Sequence, residues 1–592
     1  MVQVTGSVAP DVPVLGSPDA AWICRLTPSP VSQASDEEGD QALAGLSFAV
    51  KDNIDVAGLP TTAACPDFAH TPTRTAVVVE RLLRSGARLC GKTNLDQFAC
   101  GLNGSRSPYG AVPNAFDARY VSGGSSAGSA YAVATGQVDF ALGTDTAGSG
   151  RVPAGLNNIV GLKPSRGLIS TQGVLPAAQS VDVVSIFART VPMALRVLAT
   201  ALAPDPQDAY SRTLPLRTAP FGNAFRFGVP SAPDFCGDAL AEAEFGAAVR
   251  RMESLGGTAL AFDYQPFARA AALLYESALV AERYAAIRSF FDDHADSVME
   301  PVRSIIAQGQ KYSAADVFDA QRSLRLIAQE VAPLWERIDC MLVPTAPTHY
   351  TIEEMQADPV ALNRNLGTYT NFVNLLDYAA LSVPSSIRPD GLPFGVTLIG
   401  ACGSDWALAE LGQRYHQASG LSLGATGQAL PAAEALVPVP VDPIEPRVQV
   451  AVVGAHLSGM PLNWQLTERG ARLVRHTQTA ADYRLYALPG TVPPKPGLVR
   501  VPEGTGAPIA LEVWEMPTAQ YGSFVALIPA PLGIGTVRLS DGAQVQCFVC
   551  ESEALRGARD ITHLGGWRAY MQAIATASAA SVTPAASDTA AA

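Results

Sequence analysis

Two serines stand on glycine-rich stretches of one continuous block, residues 121–167: Ser125 within GGSSAGS and Ser149 within TDTAGSGR. A serine hydroxyl is a weak nucleophile. To attack a carbonyl it needs a base for its proton and donors for the oxyanion that forms. Successive backbone N–H groups of a tight Gly-rich turn can be those donors. The base need not be histidine, because burial lowers a lysine pKa from near 10.4 by up to about 3 to 5 units. The chain has only five lysines: Lys51, Lys92, Lys163, Lys311 and Lys495. Lys51 directly follows the apolar run 46–50, which favours burial, although composition alone equally allows a strand-end lysine reaching for solvent. A single Gly/Ser loop with ordinary solvent hydroxyls is common. That reading does not explain why the arrangement repeats directly after an apolar strand.

Three other patterns fit their chemistry less well. Residues 86–93 match GxxxxGK[ST], yet a phosphate loop follows a strand and opens a helix, whereas here the first Gly ends a helix and the strand lies inside the motif. Gly124, Ser126 and Gly128 match the nucleophile elbow GxSxG, which needs an acidic residue and a histidine later in the chain; His294, His349 and His416 are available, none in a distinctive context. Cys547 and Cys550 form a CxxC without a second Cys or His pair at finger-like spacing, which reads as a half-buried strand and not as a metal site.

The elements that must position the serines are short and alternate. A strand near 46–50 runs into Lys51. A helix over 75–85 stops at Gly86, and a strand follows at 87–90. Within the serine block, a small-residue helix (126–135) and a buried strand (138–142) present the two loops. This predicts an α/β body. Residues 1–43 read as a loosely ordered lead-in, 44–429 as a catalytic domain, and 430–447 as a Pro-rich linker. Residues 448–573, with β-type runs such as VQVAVVGAHL and IALEVWEM, read as a smaller α+β domain, and 574–592 as a low-complexity tail.

Composition bounds the partners. The chain has 592 residues, 48% hydrophobic and 16% charged, with a net charge of −13, so a basic nucleic-acid footprint is missing. No apolar run of transmembrane length and no secretory leader pattern is present, and nine scattered cysteines fit reduced thiols; a cytoplasmic protein is expected.

The segments AVKDNIDVAGLPTT, GARLCGKTNLDQFACG and GGSSAGSA…ALGTDTAGSGRVPAGLNNIVGLKP resemble the amidase signature family of serine hydrolases over roughly residues 46–420. The resemblance implies a mixed central sheet covered by helices and a Ser, cis-Ser, Lys triad: Ser149 as nucleophile, Ser125 as bridging serine after a cis Gly124–Ser125 bond, and Lys51 as general base. It implies an oxyanion hole at Thr146, Ala147 and Gly148, with the Ser149 amide. Ala127 and Ala147 depart from the family's frequent glycines. Residues 274–287 and the C-terminal segments GAHLSGMPLN and DITHLGGWRAY resemble the allophanate hydrolase branch of that family, which implies Tyr275 and Arg283 as receptor for a small carboxylated urea. On one helix they would stand about 80° apart in azimuth and about 12 Å apart in rise. Without the resemblance, the first reading is an exposed Arg283 paired with Glu276 or Glu282 and a core Tyr275. The smaller domain resembles γ-glutamylcyclotransferase-like folds, which points to His456 after its first strand and to a part in decarboxylation or in assembly. The resemblance implies no cofactor and no metal, neither biotin nor ATP, and a homodimer with the option of a larger enzyme assembly, serving urea or s-triazine breakdown. The alternative is a broad-specificity amidase or glutamine amidotransferase subunit of the same family.

Overall fold

A computed structural model describes residues 18–26, 41–437 and 447–580 of the chain. Most of the expected linker (438–446), much of the lead-in (1–17 and 27–40) and the end of the tail (581–592) lie outside the described residues. The chain divides into two compact units, Met1–Pro440 and Val441–Ala592.

The first unit is built on an eleven-stranded mixed sheet. Its strands are β1 (Trp22–Arg25), β2 (Ser47–Lys51), β3 (Arg88–Thr93), β4 (Phe140–Asp145), β5 (Val160–Lys163), β6 (Val183–Ala188), β7 (Phe225–Pro230), β8 (Gly257–Phe262), β9 (Cys340–Pro344), β10 (Ala379–Ile387) and β11 (Pro393–Gly400). They run in the order β1-β3-β2-β4-β6-β5-β10-β11-β9-β7-β8. Strands β2 and β4, which carry the chemistry, lie side by side and parallel, pairing Phe48 with Phe140 and Val50 with Leu142. Every residue of β4 is buried, as the continuous run FALG requires of a strand covered on both faces. The rings of Phe48 and Phe140 stack with centroids 5.2 Å apart.

Helix α1 (Val77–Arg84) delivers the chain to β3. Helix α2 (Ala127–Ala134) is buried along its whole length, and its sequence AGSAYAVA consists almost entirely of small residues that admit close neighbours on every side. Strand β1 corrects one expectation. Residues within the lead-in are ordered: β1 pairs antiparallel with β3, and Trp22 is buried and donates through its indole N–H to Gln137 at 2.7 Å.

The second unit contains β12 (Arg447–Val452), β13 (Arg472–Gln478), β14 (Tyr483–Ala487), β15 (Pro496–Arg500), β16 (Ala510–Pro517), β17 (Leu532–Arg538), β18 (Gln544–Cys550) and β19 (Arg559–Asp560). They form a five-stranded sheet, β13-β16-β12-β18-β17, and a three-stranded one, β15-β14-β19. A helix, Trp567–Ala580, runs past residue 573, so the first part of the low-complexity tail, 574–580, is helical.

Candidate active site

Lys51 is the last residue of β2 and is wholly buried. Its Nζ lies 2.7 Å from Ser125 Oγ and 2.7 Å from Thr144 Oγ1. Burial pulls its pKa from 10.5 down to about 7, against the pull of the carboxylates of Asp96, Asp182 and Asp145. A substantial share of the amine is therefore neutral at physiological pH and able to accept a proton. Ser125 Oγ lies 2.9 Å from Ser149 Oγ, which also reaches the Gly101 carbonyl at 3.5 Å. The Gly124–Ser125 peptide is cis. Ser149, Ser125 and Lys51 thus form an unbroken hydrogen-bonded row.

The backbone around the row is tightly specified. A Cβ on Gly124 would stand 2.1 Å from Asp96 Oδ2, so only glycine fits. Asp96 itself accepts from the amides of Asn103, Gly104 and Arg106, and its own amide donates to the Ser125 carbonyl. The turn after β4 is fixed by Asp145, whose carboxylate takes a bidentate pair from Arg151 (2.9 and 2.9 Å) and the amide of Gly150 (3.0 Å). Gly148 sits at φ +146° with Thr370 Oγ1 2.3 Å from where a Cβ would be. Among the described residues, none accepts a hydrogen bond from the amides of residues 146–149. Unpaired buried amides beside a hydroxyl are what an oxyanion would occupy.

Tyr275 and Arg283 meet, but not on one helix. Helix α3 (Gln265–Glu276) stops at Ser277, which is extended and caps a short 3-10 turn through the amide of Leu279. A new helix, α4 (Ala281–His294), then starts. The expected single helix is therefore broken, because the Ser277 hydroxyl offers the backbone a local alternative to continuing. Across the break, the Arg283 guanidinium lies 4.9 Å from the Tyr275 ring centroid and donates through Nη2 to Tyr275 Oη at 3.2 Å. Arg283 is buried, contrary to the exposed reading, and its Nε and Nη1 have no hydrogen-bond partner among the described residues. Glu282 is occupied elsewhere, accepting from Ser180 N at 2.6 Å and Ser180 Oγ at 2.7 Å. Tyr275 packs against the cluster that contains Ala147 and Leu274, which brings this guanidinium to the side of the site.

The discarded motifs have other employment. Ser126 Oγ bridges the amide and carbonyl of Thr144 at 3.3 and 3.2 Å, so it serves as a backbone clamp. His416 is buried and His349 half-buried, and desolvation lowers both to a pKa of about 4. The lysine of the GxxxxGK[ST] match, Lys92, is buried against Asp52 at 2.9 Å. Cys547 and Cys550 lie on β18, where burial pushes the Cys547 thiol up to about 12. No grouping of three or more metal-ligating side chains occurs among the described residues. No helix there is long and apolar enough to cross a membrane.

His456 lies in the second unit, in a cavity of about 200 Å³ lined also by Gln465, Lys495, Phe524, Leu527 and Phe548. Its ring stacks on Phe548 (centroids 5.0 Å apart) and Nε2 lies 2.8 Å from Gln465 Oε1. Burial lowers its pKa, so the imidazole is held neutral.

The chain is similar to known proteins in both sequence and structure. Residues 18–408 match the amidase family model, and residues 448–572 match the allophanate hydrolase C-terminal domain. Urea amidolyase of Saccharomyces cerevisiae is 44% identical over 575 residues, covering 94% of this chain; the chain spans 31% of that relative's length. A solved structure of Kluyveromyces lactis allophanate hydrolase aligns with a TM-score of 0.70 at 43% identity, covering 92% of this chain and 90% of that one. A glutamyl-tRNA(Gln) amidotransferase chain of Thermotoga maritima aligns with a TM-score of 0.57 at 28% identity, covering 67% of this chain and 86% of that one.

Proposed function

The chain belongs to the amidase family and carries an allophanate hydrolase C-terminal domain, and we propose that it hydrolyses the terminal amide of allophanate, urea-1-carboxylate. The observation that carries this reading is Arg283: a buried guanidinium with two unpartnered nitrogens requires an anion, and a carboxylate is the group it grips in two-pronged fashion. The similarity to Kluyveromyces lactis allophanate hydrolase over nearly the whole chain supports the same substrate.

In this mechanism Lys51 takes a proton through Ser125 as Ser149 attacks the terminal urea carbonyl. The amides of Thr146, Ala147, Gly148 and Ser149 stabilise the oxyanion, a contribution on the order of 10²–10³ in rate for one donor in comparable sites. The proton then passes to the departing nitrogen, ammonia leaves, and a carboxylated carbamoyl ester remains on Ser149. Water, activated by the same row, releases N-carboxycarbamate, which ends as ammonia and carbon dioxide. Arg283 and Tyr275 hold the carboxylate throughout, so binding energy from the non-reacting end orients the amide.

The His456 cavity is our candidate site for the carboxylated intermediate, with Lys495 as its cation; its apolar walls disfavour the carboxylate, whose C–N bond breaks to release carbon dioxide while the nitrogen takes a proton from water. The same reading has the protein act as a cytoplasmic homodimer in urea or s-triazine breakdown, and the exposed Phe318 and Leu326 on the helix Ala314–Val331 support a self-association face.

Ammonia release from allophanate, biuret, malonamate and glutamine tests the reading. Ser149→Ala is expected to abolish turnover of allophanate with the fold retained, and Arg283→Ala to lower kcat/KM for allophanate by about 10² or more while sparing neutral amides. Full turnover by Ser149→Ala would refute the mechanism. Indifference of allophanate turnover to Arg283→Ala would favour the broad-specificity or glutamine-dependent alternative.

A further inference from the structure

Between the guanidinium and the oxyanion turn runs a short tight turn, residues 177–182, held at both ends by carboxylates. At one end Glu282, the neighbour of Arg283 in the first turn of α4, holds Ser180 by its amide and its hydroxyl at 2.6 and 2.7 Å. At the other end Asp182 accepts from the amides of Ala177 and Ala178 at 2.7 and 3.1 Å and takes the hydroxyl of Thr146. Thr146 is the first residue of the turn whose amides are unpaired. Asn374 adds a second link to the same place: its Nδ2 donates to the carbonyl of Val181 at 3.0 Å and to that of Asp145 at 2.7 Å. Ala178 and Val181 pack with Ala147 and Leu274, so apolar contacts fill the space the hydrogen bonds leave.

We propose that residues 177–182 act as a strap between the carboxylate receptor and the oxyanion turn, with Glu282 and Asp182 as positioning residues at its two ends. The proposal rests on Arg283 being the receptor of the substrate's carboxylate. A side chain that grips an anion pulls on the start of its helix. Glu282 is part of that start and hands any displacement to Ser180, and the capped turn is too short and too fully bonded to absorb it before Asp182. The displacement reaches Thr146, whose hydroxyl is anchored to Asp182 and whose amide faces the reacting carbonyl. Close packing of this kind transmits small shifts instead of damping them. An anionic substrate would in this way set the donors that its own transition state uses, and a neutral amide would leave them unset.

A double-variant cycle on allophanate decides the matter, with kcat and KM read separately. Thr146→Val keeps the shape and removes the anchored hydroxyl; it is expected to lower kcat about 30- to 100-fold, near the loss of one oxyanion donor, with KM within about twofold. Thr146→Ser restores the anchor and is expected to recover kcat to within about threefold of wild type. Glu282→Gln loosens the far end and is expected to lower kcat about tenfold. If the strap couples the two ends, the double variant Glu282→Gln with Thr146→Val loses no more than about threefold beyond Thr146→Val alone. Losses that multiply, or a Thr146→Val enzyme with wild-type kcat, would overturn the strap. Should Thr146→Val not fold, as judged by its circular dichroism and melting, Asp182→Asn takes its place in the cycle with the same two outcomes. Failure of the substrate reading is distinguishable: it would show as a wild-type enzyme inert towards allophanate, whereas the strap fails on a wild-type enzyme that turns allophanate over.

Discussion

Two lysines lie fully buried at the ends of neighbouring strands, and their surroundings differ in one respect that decides what each can do. Lys92, on β3, sits 2.9 Å from the carboxylate of Asp52 and also meets the Pro60 carbonyl and the Thr61 hydroxyl. Lys51, paired across β2 and β3 with Thr93, hydrogen-bonds among the described residues only to the hydroxyls of Ser125 and Thr144. A buried charge facing a carboxylate is compensated; a buried amine facing hydroxyls is driven to its neutral form. The same residue type, one strand apart, is thereby an ionic brace in one place and a base in the other. What suits Lys51 to the proposed role is the lack of a close acid among the described residues together with two hydroxyls within reach: Lys163 is also buried without a paired acid, but its amine meets only the Pro164 carbonyl there.

Exchanging the consequences of the two lysines sharpens this contrast. Lys51→Met should remove the base and lower kcat on allophanate by about 10³ or more, with the protein still folded, measured as ammonia release at saturating substrate. Asp52→Asn should do the reverse, stranding Lys92 in the interior: a loss of about 3–5 kcal/mol in unfolding free energy by denaturant titration, while the folded fraction keeps kcat within a few-fold. A smaller effect concerns stability against pH. Lys51 has a folded-state pKa near 7 against 10.5 when exposed, so between those values the unfolded chain binds more protons and stability rises with pH. Below pH 7 the cost of burying the charge is fully present. Lys51→Met should be more stable than wild type at pH 6 to 7 and should lack that lysine's share of the rise above 7, read from melting temperatures across the range. A wild-type enzyme whose rise is unchanged by the substitution would break the comparison.

Ser149, Ser125 and Lys51 are legible in the sequence as candidates, by a Gly-flanked serine after an apolar strand, a second one in the same block and a lysine ending an apolar run; their roles as nucleophile, bridge and base come from the resemblance to the amidase signature family. The carboxylates that hold the row are not legible. Asp96, Asp145 and Asp182 are single acids at long separations, and their shared task exists only once β3, β2, β4 and β6 lie side by side; the six-residue spacing of Asp145 and Arg151 around Ser149 is the one available hint. The break at Ser277 is hidden for another reason: LYESALVAERYAAI keeps helical spacing of its apolar residues through the interruption, and only the capping serine marks it. Trp22 stands in a Pro- and Ser-rich context that masks an edge strand, anchored by this one buried side chain. In the second unit β13, exposed along nearly all its length, shows no alternation because neither face of it is covered.

The central claim is that Lys51 works as a neutral amine. The most direct measurement is the pH dependence of kcat/KM for allophanate between pH 5 and 9, which reports ionisations of the free enzyme. The account predicts a single acid limb with a midpoint of about 7, falling tenfold per unit below it and level above. A profile flat down to pH 5, or one still climbing towards pH 10, would contradict it.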